Sequence, residues 1–318
     1  MLFILLPALL GGCGKIRGYS GSGGAAAETG PAEPRRFTGP AGETLTLPGI
    51  PERIISSAPS NTEIIVDLGM GERLIAVDTY SLDIEGLNRD LPAIDFAYPD
   101  AEGIIALKPD LILASEHNRI AGSDPFKLLR DAGIGVVYIP TSGNIEEIYR
   151  DIGFIAGILG VRGRGEELVR TMKETVDRIG AIGAGIGERK TVYFEISPPP
   201  HIVSFGRGTF LHEMLELIGG ENIFSGVTGW IAPGEEAIAA ADPQVILTNA
   251  VLPENPGFGG ELTDPVKEIL ARPGFGEIRA VRTGAVYPID ADSSSRPTHR
   301  ITRALQEMAR AVYPEYYD

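Results

Sequence analysis

Apolar residues fall into two rhythms along this chain. Over 145–182 they step by three and four: Ile145, Ile148, Ile152, Ile155 and Leu159, then Leu168, Met172, Val176 and Ile179. That spacing lines up one helical face and predicts two helices in series, interrupted over 160–165 by glycines. On either side, short β-branched runs alternate with helical segments. Before the stripe, strands are expected at 53–58, 74–77, 111–114 and 136–139. Between them fall a helix capped by Ser60 or Asn61 and closed by Gly69, a short helix at 104–107, and a helix at 126–131 stopped by Gly133. After it, strands are expected at 191–196, 245–248 and 285–289. The helices there are 210–218, stopped at Gly219, then 235–240, 266–271 and 300–312. Residues 37–52 form a lead-in with one strand near 45–47. Alternation of this kind argues for parallel, helix-flanked sheets, arranged as α/β lobe, helical connector, α/β lobe.

One phrase recurs across the connector. EGIIALKPDLIL at 102–113 is echoed by EAIAAADPQVIL at 236–247, with Glu first, Pro eighth and Ile-Leu last in both. Proline cannot continue a helix but can open a strand. LILA and VILT are apolar on both faces, as buried parallel strands are. The matched Glu-to-Pro spacing points to two related lobes of one design.

The single cysteine changes the picture at the start. Cys13 follows MLFILLPALLGG, an apolar run too short to span a bilayer but suited to a signal peptide. Leu10-Gly11-Gly12-Cys13 has the form of a bacterial lipobox, in which the thiol receives lipid, although no basic residue precedes the run. Residues 1–13 are therefore read as a lipoprotein signal with lipidated Cys13. The Gly/Ala/Ser/Pro-rich 14–36 is read as a flexible tether. The remaining divisions are an N-terminal lobe over 37–143, a connector over 144–185 and a C-terminal lobe over 186–318. Without Cys13 no thiol remains, so an exported protein must hold together by packing alone. The net charge of -15, with no Lys/Arg run, speaks against nucleic acid as a partner. No GxSxG elbow, P-loop or HExxH is present, so no enzyme or ATPase is expected.

Four phrases carry a family resemblance: RIISSAPSNTEIIVDLGMGERLIAVDTYS at 53–81, IIALKPDLILA at 104–114, GTFLHEMLELIGGENIF at 208–224 and PGFGEIRAVRTGAVYPID at 273–290. Together they span nearly all of 53–313. The chain resembles the ABC-transporter substrate-binding proteins that capture cobalamin, ferric siderophores and haem, with cobalamin-binding members most similar through APSNTE, GGENIF and the single Trp230. The resemblance implies two Rossmann-like lobes joined by a rigid helical connector, a ligand cleft between them, small lobe motion and no cofactor of the protein's own. It also implies a monomer, tethered outside a bacterial membrane, that delivers a metal chelate to a permease dimer with its ATPase subunits. One glutamate per lobe docks to the permease in such proteins; by motif these are Glu102 and Glu236, with Glu235 as a neighbour able to share the second role. Each also sits at a helix start, where negative charge suits the dipole.

Ligands of open α/β sheets bind beyond the carboxyl ends of strands. Reading those ends gives Pro59, Ser60 and Asn61, then Tyr80, Phe96 and Tyr98, then His117 and Arg119 in the first lobe. The second offers His201, Phe205, Arg207, Trp230, Asn249 and Arg296. The family places an aromatic ring near Phe96. Rings from both lobes suit a large flat ligand such as a corrin or porphyrin. Arg119, Arg207 and Arg296 suit the carboxylates of haem or of a siderophore. His117, His201 and His299 are possible metal ligands without tight spacing, whereas His212, inside a helix, reads as structural. Ligands rank as corrinoid, haem, ferric siderophore, then free metal. A surface adhesin or interaction lipoprotein is the alternative from another class.

Overall fold

The computed structural model describes residues 34–317, apart from Ala41, Ala97, 120–123 and 253–263. Cys13 and the tether up to residue 33 lie outside the described residues. The tether reading ends too late: Arg35 and Arg36 already belong to strand β1 (Arg35–Thr38), which pairs antiparallel with β2 (Thr44–Leu47). The Arg35 guanidinium ties this hairpin down by donating to the carbonyls of Gly157 and Ile158.

The alternation then runs as β3 (Ile54–Ser56), α1 (Pro59–Asp67), β4 (Leu74–Asp78), β5 (Ala93–Ile94), α2 (Ala101–Ala106), β6 (Leu111–Ser115), α3 (Lys127–Asp131) and β7 (Gly135–Ile139). Helix α1 starts two residues earlier than the Ser60 cap implies and three earlier than Asn61 would. Its N-cap is Ala58, and Pro59 occupies the first turn, where its missing N–H costs nothing. All five strands pair in parallel, in the order β5-β4-β3-β6-β7.

The apolar stripe becomes α4 (Ile145–Leu159) and α5 (Arg162–Ala184). The break is shorter than the glycines suggest. Only Gly160 and Val161 fall outside, with Gly160 at φ 74, a left-handed C-cap. Gly165 lies inside α5 for a different reason: a Cβ there would come within 2.4 Å of Ala156 Cβ, so its bare backbone is what lets α5 lie against α4. Asn144 caps α4 by accepting from Glu147 N–H at 2.9 Å.

The second alternation comprises β8 (Thr191–Glu195), β9 (Ser204–Phe205), α6 (Phe210–Leu217), β10 (Glu221–Asn222), β11 (Trp230–Ile231), α7 (Glu235–Ala241), β12 (Val245–Thr248), α8 (Pro265–Ala271), α9 (Arg279–Thr283), β13 (Val286–Pro288), α10 (Ala291–Ser295) and α11 (Ile301–Val312). Its parallel sheet has the order β10-β8-β12-β13, and β9 and β11 form a small antiparallel ribbon. Among the described residues no helix is long and apolar enough to cross a membrane.

The two sheets share one core. On β6, Leu111 and Leu113 face the same apolar cluster as Val245 and Leu247 of β12, and the stripes of α4, α5 and α11 fill the space between. The alternate residues Ile112 and Ile246 face separate outer clusters. Strands buried on both sides explain why LILA and VILT read as unbroken apolar runs. The helical pieces also tie the halves by charge: Glu213 on α6 accepts from Ile145 N–H at 2.7 Å, a carboxylate at the start of α4.

The doubled phrase proves to be doubled in backbone as well. Lys108 and Asp242, each just before the matched proline, are the two non-glycine residues with positive φ among those described, at 49° and 43°. Asp110 N–H donates to the Arg53 carbonyl, and its counterpart Gln244 N–H donates to the Thr191 carbonyl. Their side chains accept from the N–H groups of those same two residues, Arg53 and Thr191. Ile104 and Ile238 occupy matching positions, and both are buried.

Under the second sheet, Arg272 grips Glu195 with two bonds of 2.7 Å and also pairs with Glu268; both Arg272 and Glu195 are almost wholly buried. Arg272→Met strands the Glu195 carboxylate without a cation. We expect a loss of about 3–5 kcal/mol in urea unfolding. A loss of about 1 kcal/mol or less, the scale of an exposed pair, would show that Glu195 finds other support.

Candidate ligand cleft

The carboxyl ends of β3, β4, β6 and β7 all open towards one cavity of about 410 Å³. Pro59, Ser60 and Asn61 follow β3, Tyr80 follows β4, and Ser115 and His117 end β6. Thr141 and Ser142 follow β7. The opposite wall comes from the second half: Phe210 at the start of α6, Trp230 on β11, Ser295 at the end of α10, and Arg296 and Pro297 just beyond it. A second cavity of about 500 Å³ shares Pro59, Tyr80, Ser115 and His117 and adds Asp78 and Phe96.

Each wall group is held for a local reason. Asn61 is buried and donates to the carbonyls of Leu113 and Ala114, pinning the first turn of α1 to β6. The N–H groups of Ser60 and Asn61, in that first turn, have no intrahelical acceptor. Trp230 stands edge-on to Phe205 and Phe210 at 6.3 and 6.5 Å between centroids. It keeps 49% of its surface open, and Tyr80 keeps 81%, so both offer apolar faces. Phe96 packs against Phe126 at 5.7 Å. His117 Nδ1 lies 3.3 Å from Ser115 Oγ.

Seven expected residues are moved off these walls. Phe205 is 1% exposed because it forms the packing surface beneath Trp230. Asn249 is buried and donates to Ser294 and Ser295, so it acts behind the wall rather than on it. Arg119 stacks on the Tyr138 ring at 3.9 Å and pairs with Glu116. Arg207 and Tyr98 project into solvent. His201 lines a separate cavity of about 440 Å³ with Pro199, Pro200 and Glu235. His299 lies elsewhere again, paired with Asp67 at 3.3 Å, and burial pushes its pKa down. The three candidate histidines thus do not converge, and no group of three metal-ligating side chains was found among the described residues. His212 is buried beside Asn222, in keeping with a structural role.

Sequence reasoning missed the acidic side of the site. Glu63, on α1, is fully buried; it receives Arg296 at 2.5 Å and Thr298 Oγ1 at 3.0 Å from the other half. Arg296 also meets Asp292 at 3.1 Å. Asp151, on α4, lines the cavity and accepts from Ser142 Oγ at 2.7 Å. Asp78 beside Tyr80 is pushed up by burial, against the opposing hydrogen bond from Ser81. One signal was available: Asp151 falls three residues after Ile148 and four before Ile155, a charge within the spacing of the buried stripe.

Glu102 and Glu236 stand exposed in the first turns of α2 and α7. Both helices lead through the left-handed residue and proline into a central strand, so each carboxylate is presented from the same joint.

This architecture can be compared with known proteins. The family model described as periplasmic binding protein matches residues 54–293, and the chain belongs to that family. A Bacillus subtilis protein named an uncharacterized ABC transporter substrate-binding lipoprotein, YvrC, is 31% identical, covering 99% of this chain and 96% of its own. The vitamin B12-binding protein of Vibrio parahaemolyticus is 27% identical, covering 83% and 91%. Among solved structures, a possible iron-binding (periplasmic solute-binding) protein from Staphylococcus epidermidis is 31% identical with a TM-score of 0.70, covering 83% of this chain and all of its own. The periplasmic haem-binding protein RhuT from Roseiflexus is 27% identical with a TM-score of 0.67, covering 83% and 98%.

Burial raises the Asp151 pKa from 3.8 to about 6, with the Ser142 hydrogen bond opposing it. The folded state therefore holds this proton more tightly than the unfolded chain. Below about pH 4 both states are protonated and the group is neutral to stability. Between about pH 4 and 6 stability falls as pH rises, and above 6 the penalty is complete, at roughly 3 kcal/mol. Asp151→Asn is expected to raise the unfolding free energy at pH 8 by up to about that amount and to leave it unchanged at pH 3.5. Equal effects at both pH values would show that ionisation of Asp151 carries no cost.

Proposed function

We propose that this chain is the extracytoplasmic, lipid-anchored substrate-binding component of an ABC importer, and that its ligand is a corrinoid. The family and the YvrC relative support the transport role. Lobes over 35–143 and 186–318, joined by the connector 144–185, frame the cleft. Lipidated Cys13 and the tether keep a monomer near its permease and ATPase subunits.

One observation carries the corrinoid reading. The cavity presents open aromatic faces and neutral polar groups, Ser60, Asn61, Ser115 and Thr141. Its one Arg or Lys among the described lining residues, Arg296, is already held by Glu63 and Asp292. A flat ligand fringed with amides finds ring faces and hydrogen-bond partners there. A ligand fringed with carboxylates finds no free guanidinium, and such groups are expensive to bury unpaired. The B12-binding relative supports the same choice. Haem is the second reading, favoured by His117 on the wall as a potential iron ligand; ferric siderophores follow.

Cyanocobalamin, haemin and ferric citrate are to be compared by visible spectroscopy and thermal shift on the purified protein. Cyanocobalamin at a hundred times its Kd is expected to stabilise by about 2.7 kcal/mol, while the others stabilise less. Stabilisation by haemin alone transfers the assignment to haem. No stabilisation by any of the three sinks the chelate-uptake reading.

Glu102 and Glu236 are proposed as the docking carboxylates, one per lobe, facing the two equivalent basic sites of a permease dimer. Converting both to Lys is expected to abolish transport with the reconstituted permease and to keep ligand affinity within about twofold, since exposed pairs steer encounter more than they hold structure. A large loss of affinity would place them in the ligand site instead.

A further inference from the structure

Asp151 lines two cavities at once. Besides the ligand cleft it borders a side cavity of about 370 Å³, and Pro140 and Ser142 are shared between the two as well. The side cavity therefore adjoins the cleft at the Ser142–Asp151 pair. Its far walls are Thr38, the last residue of the first hairpin strand, Pro40 just beyond it, and Glu147, Arg150 and Phe154 on α4.

The charges in this space are unequally committed. Arg150 pairs with Glu147 at 3.2 Å, and Glu147 also accepts from Gly143 N–H. Asp151 is 7% exposed, and Ser142 satisfies only its Oδ2. Among the described residues no donor reaches its Oδ1. That oxygen is not sealed off but opens onto the cavity, where a ligand N–H can satisfy it in place of water. A ligand carboxylate in the same place meets a like charge at close range, and the two repel.

We propose that this side cavity is a ligand subsite for a neutral arm ending in a primary amide, with Asp151 accepting its N–H and turning away an arm that ends in carboxylate. The assignment rests on the corrinoid reading above and deepens it. The cleft receives the flat ring system, and the side cavity reads one peripheral arm. Specificity then comes as much from the repelled group as from the accepted one.

Calorimetry on the whole protein at pH 7.5 tests it, using cyanocobalamin and the monocarboxylates made by hydrolysing its peripheral amides one at a time. The wild type is expected to bind at least one monocarboxylate about tenfold or more weakly than the parent, and Asp151→Asn to narrow that ratio to about twofold. Thr38→Trp, on an exposed strand position at the rim, fills the side cavity without touching Asp151; it is expected to weaken cyanocobalamin about tenfold and keeps the test decisive should Asp151→Asn not fold. Unchanged discrimination in Asp151→Asn, or wild-type affinity in Thr38→Trp, overturns the subsite while leaving the corrinoid reading standing. A wild-type protein that binds no cyanocobalamin overturns both.

Discussion

A carboxylate with no access to water has to be met by a cation, and for Glu63 that cation comes from the far side of the cleft. Glu63 sits on the first helix of one half, fully buried. Arg296 and Thr298 reach it from the other half, 233 and 235 residues away. Four residues further along the same helix, Asp67 repeats the arrangement with His299 and Arg300. The cost of separating a buried pair gives the halves a preferred closed register at the base of the cleft. It also bears on the chemistry above, because the guanidinium on the cavity wall is already paired with Glu63.

The shared core makes this clasp effective. Inner faces of both sheets pack onto one continuous body of α1, α4, α5, α6 and α11, so the connector is part of the core of each half. A helix layer with side chains on both sheets resists the hinge motion that a thin linker allows. Helix α4 then does double duty. One face supplies Ile145, Ile148, Ile152 and Ile155 to the core, while Asp151 stands at the edge of that face on the cavity wall. On the outer surface, the twin joints at Lys108-Pro109 and Asp242-Pro243 repeat the same turn, so the two exposed glutamates ahead of them are carried by equivalent frames.

Much of this was legible along the chain. Period and punctuation located the long strands and the helical stripe, because a strand buried on both faces and a helix buried on one leave distinct apolar rhythms. The short pieces were not legible. Two-residue strands such as β9 and β11 form only because their partners are brought alongside, and too few residues are involved to show a period. The α1 cap was misplaced by two or three residues because Pro59 favours the first helical turn over the position before it. The tether was drawn too long because Arg35 and Arg36 look like a polar tail until Gly157 and Ile158 carbonyls are there to receive a guanidinium.

For the site, strand ends identified Pro59, Ser60, Asn61, Tyr80, Phe96, His117, Trp230 and Arg296 as residues near a cavity, since topology alone puts strand ends at one edge of each sheet. Topology does not say which side chain faces inward. Phe205 and Asn249 sit at the right edge yet serve as backing for Trp230 and Ser295. By itself, then, the sequence determined the alternation, the doubled joint and its two carboxylates, all of which depend on local spacing. Tertiary structure alone decided that Arg296 is occupied, that Asp151 is half-satisfied on the cavity wall, and that the candidate histidines lie apart. Those outcomes depend on distances between residues far apart in the chain, which only the packing of two sheets on one helical core can set.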